Sequence, residues 1–119
     1  MAVPTPNAER YLRVDGLGIQ SARQGEEHVI ALDGDLEIAN ASAIESELNH
    51  VEAGDCSRIV LDLRRLSFLD STGIHFLISA HERATASGKP LALVVDDGPV
   101  LRVLDVCGAL SILPTKAAA

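Results

Sequence analysis

The sequence predicts a single α/β domain, and two observations carry this prediction. Short aliphatic segments with strand character alternate along the chain with segments that repeat apolar residues at helical spacing. The chain has 119 residues, of which 47% are hydrophobic, which is enough to fill one core but not two. Such alternation favours a mixed, mostly parallel sheet of four to five strands with helices packed against it.

The first third of the chain predicts extended structure. Residues 1–10 are rich in Ala, Pro and polar groups and should fray, and Tyr11 to Val14 could form a short extended piece. Two longer strand patterns, residues 17–23 and 28–36, flank Gln24-Gly25-Glu26, a sequence typical of a hairpin turn. These two strands should therefore pair antiparallel.

The middle of the chain predicts a helix followed by a buried strand. Ser42 and Glu45 have the spacing of a capping box, and Ile44, Leu48 and Val51 recur on one helical face before Gly54 ends the pattern. The next segment, residues 58–63 (RIVLDL), is short and β-branched, which is typical of a strand in the centre of a sheet. A short loop should then lead to the next helix.

The last part of the chain repeats this order. Residues 71–87 have helical periodicity up to Gly88, and residues 90–95 (PLALVV) predict a second buried strand. Pro99 suits the first turn of a third helix that ends near Gly108, and residues 109–113 could add a short edge strand. We expect a flexible N-terminal extension over residues 1–16, a folded domain over 17–113 and a flexible tail over 114–119.

Composition restricts the partners. The net charge of −7, the absence of Trp and the presence of only one Tyr and two Phe leave few groups for phosphate backbones or base stacking, so we expect no direct contact with nucleic acid. No apolar run is long enough to predict membrane insertion, and a cytoplasmic protein is expected. Cys56 and Cys107 lack metal-site spacing and should be reduced thiols; neither a metal nor a cofactor is predicted.

The most informative segment is Asp70-Ser71-Thr72-Gly73, which follows the central strand at a predicted helix start. On spacing alone, the favoured interpretation is an ordinary helix N-cap by Asp70. The free amide groups of a first helical turn also accept negative charge, so a phosphate on Ser71 would be tolerated there. Gly73 costs about 1 kcal/mol in a helix relative to Ala, which suggests that another backbone approaches it closely.

Three short motifs recur in order: Gly34-Asp35-Leu36-Glu37, Val60-Leu61-Asp62-Leu63 and Asp70-Ser71-Thr72-Gly73. With this set the sequence resembles the STAS family, most closely the bacterial anti-sigma factor antagonists, and is expected to form a STAS-like domain. The resemblance covers roughly residues 17–113, including the late segment 103–110 (VLDVCGAL).

The resemblance implies a function as well as a fold. An unphosphorylated antagonist of this kind binds an anti-sigma factor with serine kinase activity, which frees a sigma factor, and phosphorylation at Ser71 switches it off. Thr72 is the less favoured acceptor, and a phosphatase would restore the active form. The implied partner-binding residues are Asp35, Glu37, Asn40, Asp70, Ser71, Thr72, Gly73 and His75.

Two departures from the family pattern stand out. Glu37 occupies a position that is usually Asp, and the neighbouring Ile38-Ala39-Asn40 lies where a Thr is common, so this loop could select a different partner subset. His75 stands where a small residue often follows the motif. Neither departure changes the assignment of Ser71.

Other interpretations use the same residues. Ser71 and His75, four apart on a helix with Asp70 nearby, could be taken for a catalytic triad, but no nucleophile elbow or oxyanion-hole loop accompanies them, so an enzyme is not predicted. Asp33, Asp35 and Glu37 alternate along a strand end but are too few for a calcium loop.

An alternative function is a non-switching STAS docking module in a larger signalling or membrane-transport-associated assembly.

Overall fold

The computed structural model describes residues 8–117 of the chain. The elements in chain order are β1 (Ala8–Val14), β2 (Leu17–Gln24), β3 (Glu27–Leu36), α1 (Ala41–Glu52), β4 (Arg58–Leu69), α2 (Ser71–Ala86), β5 (Leu91–Val94) and α3 (Pro99–Val106), followed by a short 3₁₀ helix, Ala109–Ser111. None of these helices has the length and apolar character that a membrane span requires.

The five strands form one mixed sheet in sequence order. β1, β2 and β3 pair antiparallel because tight turns join them, whereas β3, β4 and β5 pair parallel because α1 and α2 carry the chain back across the sheet. The predicted mixed α/β sheet with packed helices is confirmed. Two of the four strand pairings are parallel and two are antiparallel, so the sheet is mixed but not mostly parallel. The two antiparallel pairings come from the N-terminal hairpins.

The core lies between one face of the sheet and the helices. Alternate strand residues such as Ile30 and Leu61 are fully buried on this face, and each such side chain contributes about 1.5–3 kcal/mol through burial. Ile44, Leu48 and Val51 of α1 are buried against them, which confirms the predicted apolar face of that helix. The opposite face carries ion pairs such as Arg13 with Asp33 and Arg64 with Asp62.

The prediction of a flexible segment over residues 1–16 is wrong for the part that the structure describes. Residues 8–14 form β1, whose backbone pairs with β2 along its length. Asp15 and Gly16 both have positive φ, 47° and 82°, and close a tight hairpin. An Asp-Gly pair is a strong hairpin signal, but the flanking residues do not alternate clearly enough to predict the two strands. Residues 1–7 lie outside the described part of the chain.

The C-terminal expectations also change. Residues 109–113 do not form an edge strand but contain the 3₁₀ helix Ala109–Ser111, which starts after Gly108 in a left-handed conformation. The tail predicted over residues 114–119 is held in place up to Lys116, because the Leu93 N–H donates to the Pro114 carbonyl at 2.8 Å and the Lys116 N–H donates to the Leu93 carbonyl at 2.9 Å. The last two residues lie outside the described part.

Two element boundaries differ from the sequence prediction. β4 does not end at residue 63 but continues to Leu69, so strand and helix meet without the predicted loop. The predicted capping box at Ser42 is also wrong, because α1 begins at Ala41 and its N-cap residue is Asn40. Asn40 occupies this position because its side chain is hydrogen-bonded to the backbone before the helix.

Candidate functional site

The predicted site lies at the sheet edge where β3 and β4 end. The parallel register pairs Asp35 with Phe68 and Leu36 with Leu69, so the two strand ends lie side by side. α2 begins immediately afterwards at Ser71. Two motifs that are far apart in sequence, residues 34–37 and 70–73, are therefore adjacent. Carboxyl ends of parallel strands are a common location of functional residues in α/β proteins.

Asp70 caps α2. Its backbone is extended, and its Oδ1 accepts a hydrogen bond from the Gly73 N–H at 3.0 Å. The N-cap interpretation of the sequence is therefore confirmed. This cap makes Ser71 the first residue of the helix, and the Ser71 side chain is exposed. A group attached to its hydroxyl would lie at the positive end of the helix dipole.

Gly73 is buried beneath this helix start. A Cβ added at Gly73 would lie 2.4 Å from Leu69 Cδ1 and 3.1 Å from the Leu36 carbonyl oxygen. The close approach of another backbone that the sequence suggested is therefore real, and that backbone is the end of β3. Gly73 holds α2 close against the 34–37 motif and is too deep to touch a partner itself.

Asn40 organises the loop between β3 and α1. Its Oδ1 accepts from the Glu37 N–H at 3.1 Å, and its Nδ2 donates to the carbonyls of Asp15 and Asp35 at 3.0 and 2.8 Å. The side chain is fully buried. The expectation that Asn40 contacts a partner therefore needs correction, because the residue has no surface to offer and acts by fixing the loop.

Gly34 explains why the first motif starts with glycine. Its φ is +98°, and a Cβ at this position would lie 2.1 Å from the Gly16 carbonyl oxygen. The same carbonyl accepts the Asp35 N–H at 3.1 Å. The hairpin turn of β1 and β2 is thus packed directly against the motif, which fixes the direction in which Asp35 and Glu37 leave the sheet.

The electrostatic character of the site is acidic. Asp35, Glu37 and Asp70 are partly exposed, and no Lys or Arg within residues 8–117 forms an ion pair with any of them. Asp96 and Asp97, both exposed, follow β5, whose last pairing is with Asp62 and not with the end of β4, and Asp96 adds to the effect of Asp62 in raising the pKa of Arg64. Uncompensated carboxylates attract a basic surface and repel a second negative group.

Thr72 and His75 complete the predicted set. Thr72 follows Ser71 and is partly exposed, and His75 lies one turn further along α2 with an exposed side chain. The Asp70 side chain is used in the helix cap, so it does not orient His75 as a triad would require. Asp33 is paired with Arg13 at 3.1 Å, and no group of metal-ligating side chains occurs in the described residues.

Sequence reasoning missed the apolar residues of this surface. Ile38, in the loop before α1, is 77% exposed, and Phe68, at the end of β4, is 48% exposed. Both flank the acidic residues of the two motifs. The signal in the sequence is weak, because Ile38 stands outside any periodic segment and the pattern around Phe68 predicts a loop. Exposed apolar side chains rimmed by polar groups are typical of protein interaction sites.

Comparisons with known proteins address the family and the overall fold of the chain. A protein-family model described as STAS domain matches residues 19–118. The anti-sigma F factor antagonist of Paenibacillus polymyxa is 26% identical over 87 residues, which are 72% of this chain and 74% of that protein.

Solved structures show the same fold. An anti-sigma factor antagonist from Mycobacterium paratuberculosis superposes with a TM-score of 0.75 at 20% identity, over 83% of this chain and 84% of the other. The Bacillus cell fate determinant SpoIIAA in its phosphorylated form superposes with a TM-score of 0.64 at 23% identity, over 85% and 91% of the two chains.

Proposed function

The chain belongs to the STAS domain family, and from this premise we propose that it is an anti-sigma factor antagonist that phosphorylation of Ser71 switches off. Its relative in Paenibacillus polymyxa is an anti-sigma F factor antagonist, and SpoIIAA of the same fold has a phosphorylated form. In this proposal the protein is not an enzyme. It acts in the cytoplasm by binding an anti-sigma factor and so freeing a sigma factor.

The observation that carries the proposal is the position of Ser71. It is an exposed hydroxyl at the first residue of α2, beside the end of β3. A kinase can therefore reach it without unfolding the domain. Thr72 is the less accessible neighbour, since its side chain is partly covered.

The proposed partner surface consists of the groups that the site exposes. Asp35, Glu37, Thr72 and His75 have exposed or partly exposed side chains at the ends of β3 and β4 and the start of α2, as does Asp70. Asn40 and Gly73 belong to the same site as positioning residues, because they fix the loop and the helix start from below. Ile38 and Phe68 add apolar contact area at its border.

The mechanism is electrostatic. Phosphorylation adds about −1.5 to −2 charges to Ser71, at a surface where Asp35, Glu37 and Asp70 already lack an ion-pair partner within the described chain. Changing a bound fraction from 99:1 to 1:99 requires about 5.5 kcal/mol. Loss of two or three hydrogen bonds to charged groups, at about 1.5–3 kcal/mol each, would provide it.

The proposal implies two enzymes that act on this protein. The anti-sigma factor is itself the serine kinase, so binding and inactivation occur at one surface. A phosphatase removes the phosphate and returns the protein to its binding form. The acidic site calls for a basic contact surface on the anti-sigma factor.

The test combines phosphate mapping with binding. Each anti-sigma serine kinase encoded in the source genome would be purified and incubated with the protein and ATP, and the phosphorylated residue located by peptide mass spectrometry. We expect phosphate on Ser71, and loss of the complex in size-exclusion chromatography as phosphorylation proceeds. Ser71→Ala should bind and resist ATP-dependent release.

Ser79→Ala is the matched control, because Ser79 is an exposed serine two turns further along the same helix. It should behave as the unchanged protein. Release of the Ser71→Ala protein by ATP would contradict the switch. Stable binding with no phosphate on Ser71, either in this mixture or in protein recovered from cells, would instead favour the non-switching docking module.

A further inference from the structure

The two edges of the sheet differ in how their backbone is covered. At one edge, Leu93 of β5 is hydrogen-bonded to the C-terminal segment: its N–H donates to the Pro114 carbonyl at 2.8 Å, and its carbonyl accepts from the Lys116 N–H at 2.9 Å. The other edge is β1, and no strand within residues 8–117 pairs with its outer side. The outward N–H and C=O groups of an uncovered edge strand are a template for another strand.

The regular part of β1 lacks the features that usually keep an edge strand from pairing, which are proline, protruding charges and bulges. Its one register irregularity lies before Arg10, and residues 10–14 pair evenly with β2. Two arginines lie in this stretch. Arg10 Nε is 3.1 Å from Glu47 Oε1 of α1, and Arg13 Nη1 is 3.1 Å from Asp33 Oδ1 of β3. Both guanidinium groups are therefore drawn inward from the edge.

β1 exposes an aromatic or aliphatic side chain on each face of the sheet. Tyr11 is 56% exposed, and its partner on β2, Gln20, lies on the face opposite the core. Leu12 is 40% exposed, and its partner Ile19 belongs to the core. A strand added at this edge would cover part of both side chains and so remove apolar area from water.

Symmetry limits the ways in which β1 can pair with β1 of a second copy. Hydrogen-bonded and non-hydrogen-bonded pairs alternate along an antiparallel ladder, so the two-fold axis must pass through a residue that lies opposite itself. An axis at Arg10 or Arg13 would place like charges opposite each other, which is unfavourable. An axis at Tyr11 would extend the pairing into the irregular part of the strand. An axis at Leu12 divides residues 10–14 into equal halves.

With the axis at Leu12, the side chains that meet are complementary. Leu12 lies opposite Leu12 of the second copy on the core side, so the two hydrophobic cores meet at the edge. On the other face, Tyr11 lies opposite Arg13 of the second copy, and a guanidinium group is attracted to the face of an aromatic ring. Arg10 lies opposite Val14 of the second copy, and no like charges face each other within this stretch.

We propose that this protein self-associates through its β1 edge, with a second copy of the same chain paired antiparallel about Leu12. The two five-stranded sheets then join into one. The contact is small, and interfaces below about 1,200 Å² are typical of weak association. The expected state is therefore a reversible dimer that forms as the protein concentration rises. This inference goes beyond the proposed function and does not depend on phosphorylation.

The dimer leaves both Ser71 surfaces free. Ser71 follows the end of β4, and β2 and β3 lie between β4 and the β1 edge. One dimer therefore presents two binding surfaces at once. Simultaneous engagement of two sites on a multivalent target strengthens binding without any new contact.

Sedimentation equilibrium measures the self-association directly. The unchanged protein and Leu12→Asp would be compared from about 10 μM to about 1 mM, the range that suits a weak interface. Salt at about 0.15 M reduces the screening length to about 8 Å, which limits repulsion between two chains of net charge −7.

We expect the unchanged protein to dimerise in this range. Leu12→Asp should weaken the dimer at least about tenfold, because it places two carboxylates opposite each other at the axis. Val106→Asp is the matched control, since Val106 is an 85% exposed apolar residue at the end of α3, and it should dimerise as the unchanged protein does.

A cysteine at position 12 tests the register as well as the association. Residue 12 lies opposite itself, so its two Cα atoms should be about 4.5–5.5 Å apart, which a disulfide can span. At position 11 the two copies lie on a diagonal about 7–8 Å apart. Because Cys107 is exposed, Leu12→Cys and Tyr11→Cys would each be made in a Cys107→Ser chain.

After oxidation at the same concentrations, non-reducing electrophoresis and peptide mass spectrometry would measure the linked dimer. We expect Leu12→Cys to form a disulfide-linked dimer at least about ten times faster than Tyr11→Cys, because a disulfide does not bridge Cα atoms more than about 7 Å apart. Circular dichroism melting would show that each variant is folded. Should Leu12→Asp fail to fold, the two cysteine variants still decide the question.

A monomer throughout the concentration range, equal dimerisation of the unchanged protein and folded Leu12→Asp, or equal cross-linking at positions 11 and 12 would overturn the inference. Neither experiment contains ATP or an anti-sigma factor. Failure of the dimer would therefore leave the proposed function standing, and failure of the switch at Ser71 would leave the dimer standing.

Discussion

The side-chain Nδ2 of Asn40 donates a hydrogen bond to the backbone carbonyl of Asp35 at 2.8 Å. This bond joins the start of α1 to the end of β3. The same amide nitrogen also donates to the Asp15 carbonyl at 3.0 Å, so one buried side chain connects three parts of the chain. The shape of the acidic loop therefore depends on a residue that no partner can reach.

Replacement of Asn40 by Ala should destabilise the domain. The substitution leaves the carbonyls of Asp15 and Asp35 without their donor, and an unsatisfied buried polar group costs about 1–3 kcal/mol. Urea denaturation followed by circular dichroism measures this change. Asn49→Ala, at an exposed position on the same helix, is the control and should change stability little. Equal stability of the two variants would show that Asn40 does not hold the loop.

Gly73→Ala should also destabilise the protein, although Ala is the better helix former. The propensity gain is about 1 kcal/mol, but overpacking a core costs about 1–3 kcal/mol. The new Cβ would press on Leu69 and on the Leu36 carbonyl, and a backbone group cannot rotate away as a side chain can. The expected result is a lower urea midpoint. Ser79→Ala, on the exposed face of α2, is the control and should raise the urea midpoint slightly. A higher midpoint in Gly73→Ala as well would contradict the close packing at Gly73.

Sequence patterns located the site better than they located its supports. The cap by Asp70 is predictable because a helix start has local signals, namely a capping residue and the following apolar periodicity. The role proposed for Ser71 follows from the resemblance to the STAS family, since spacing alone favours an ordinary N-cap. The burial of Asn40 is not predictable in this way, because its hydrogen bonds reach residues as far as 25 positions away. Such contacts leave no trace in local periodicity.

The edge of the sheet and the C-terminal segment are also weakly marked in the sequence. No apolar alternation marks β1, because the neighbouring side chains of Tyr11 and Leu12 are both exposed. Thr115 pairs with Leu93 through a single bridge. In both cases the backbone provides the pairing, and the side chains carry little information about it.

Asp70→Ala should cost about 1 kcal/mol, the usual contribution of an N-cap residue. The lost bond is the one that the Asp70 carboxylate accepts from the Gly73 N–H. Asp70→Asn keeps an acceptor oxygen and should retain nearly all of the stability. Asp97→Ala removes an exposed carboxylate after β5 that caps no helix, so it separates the effect of the cap from that of charge. The thermal midpoint should be lowest in Asp70→Ala and close to that of the unchanged protein in Asp70→Asn and Asp97→Ala.

A negative group at Ser71 should leave the fold intact. The helix dipole favours an anion in the first turn by about 0.3–1 kcal/mol, and repulsion from Asp70 acts against it. Ser71→Glu should therefore change the free energy of unfolding by no more than about 0.5 kcal/mol, the range of ordinary surface substitutions. Urea denaturation tests this value.

The comparison variant for this prediction is Ser79→Glu, which places the same charge in the middle of α2. If Ser71→Glu proved strongly destabilising and Ser79→Glu did not, phosphorylation would act by unfolding the helix start and not at the interface. Weaker binding with an intact fold in Ser71→Glu would support the proposed mechanism. A Glu side chain carries less charge than phosphoserine, so its effect on binding should be smaller than that of the phosphate.

The contact of Glu27 with Lys116 should give the protein a pH-dependent stability. The Lys116 ammonium, 2.8 Å away, and the Arg58 guanidinium lower the pKa of Glu27 below its ordinary value, and partial burial opposes them. A carboxylate whose pKa is lower in the folded state stabilises it at pH values above the unfolded pKa. That contribution is lost as the pH falls through the folded pKa.

Glu27→Gln should therefore lower the free energy of unfolding at pH 7 by about 0.5–1 kcal/mol, as expected of a partly exposed ion pair. The difference from the unchanged protein should shrink below about pH 4, near the ordinary pKa of a glutamate, and high salt should reduce it at pH 7. Glu45→Gln is the control, since Glu45 is exposed on α1 and forms no ion pair with the described residues. A pH-independent loss in Glu27→Gln would mean that neither Lys116 nor Arg58 forms a stabilising ion pair with the Glu27 carboxylate.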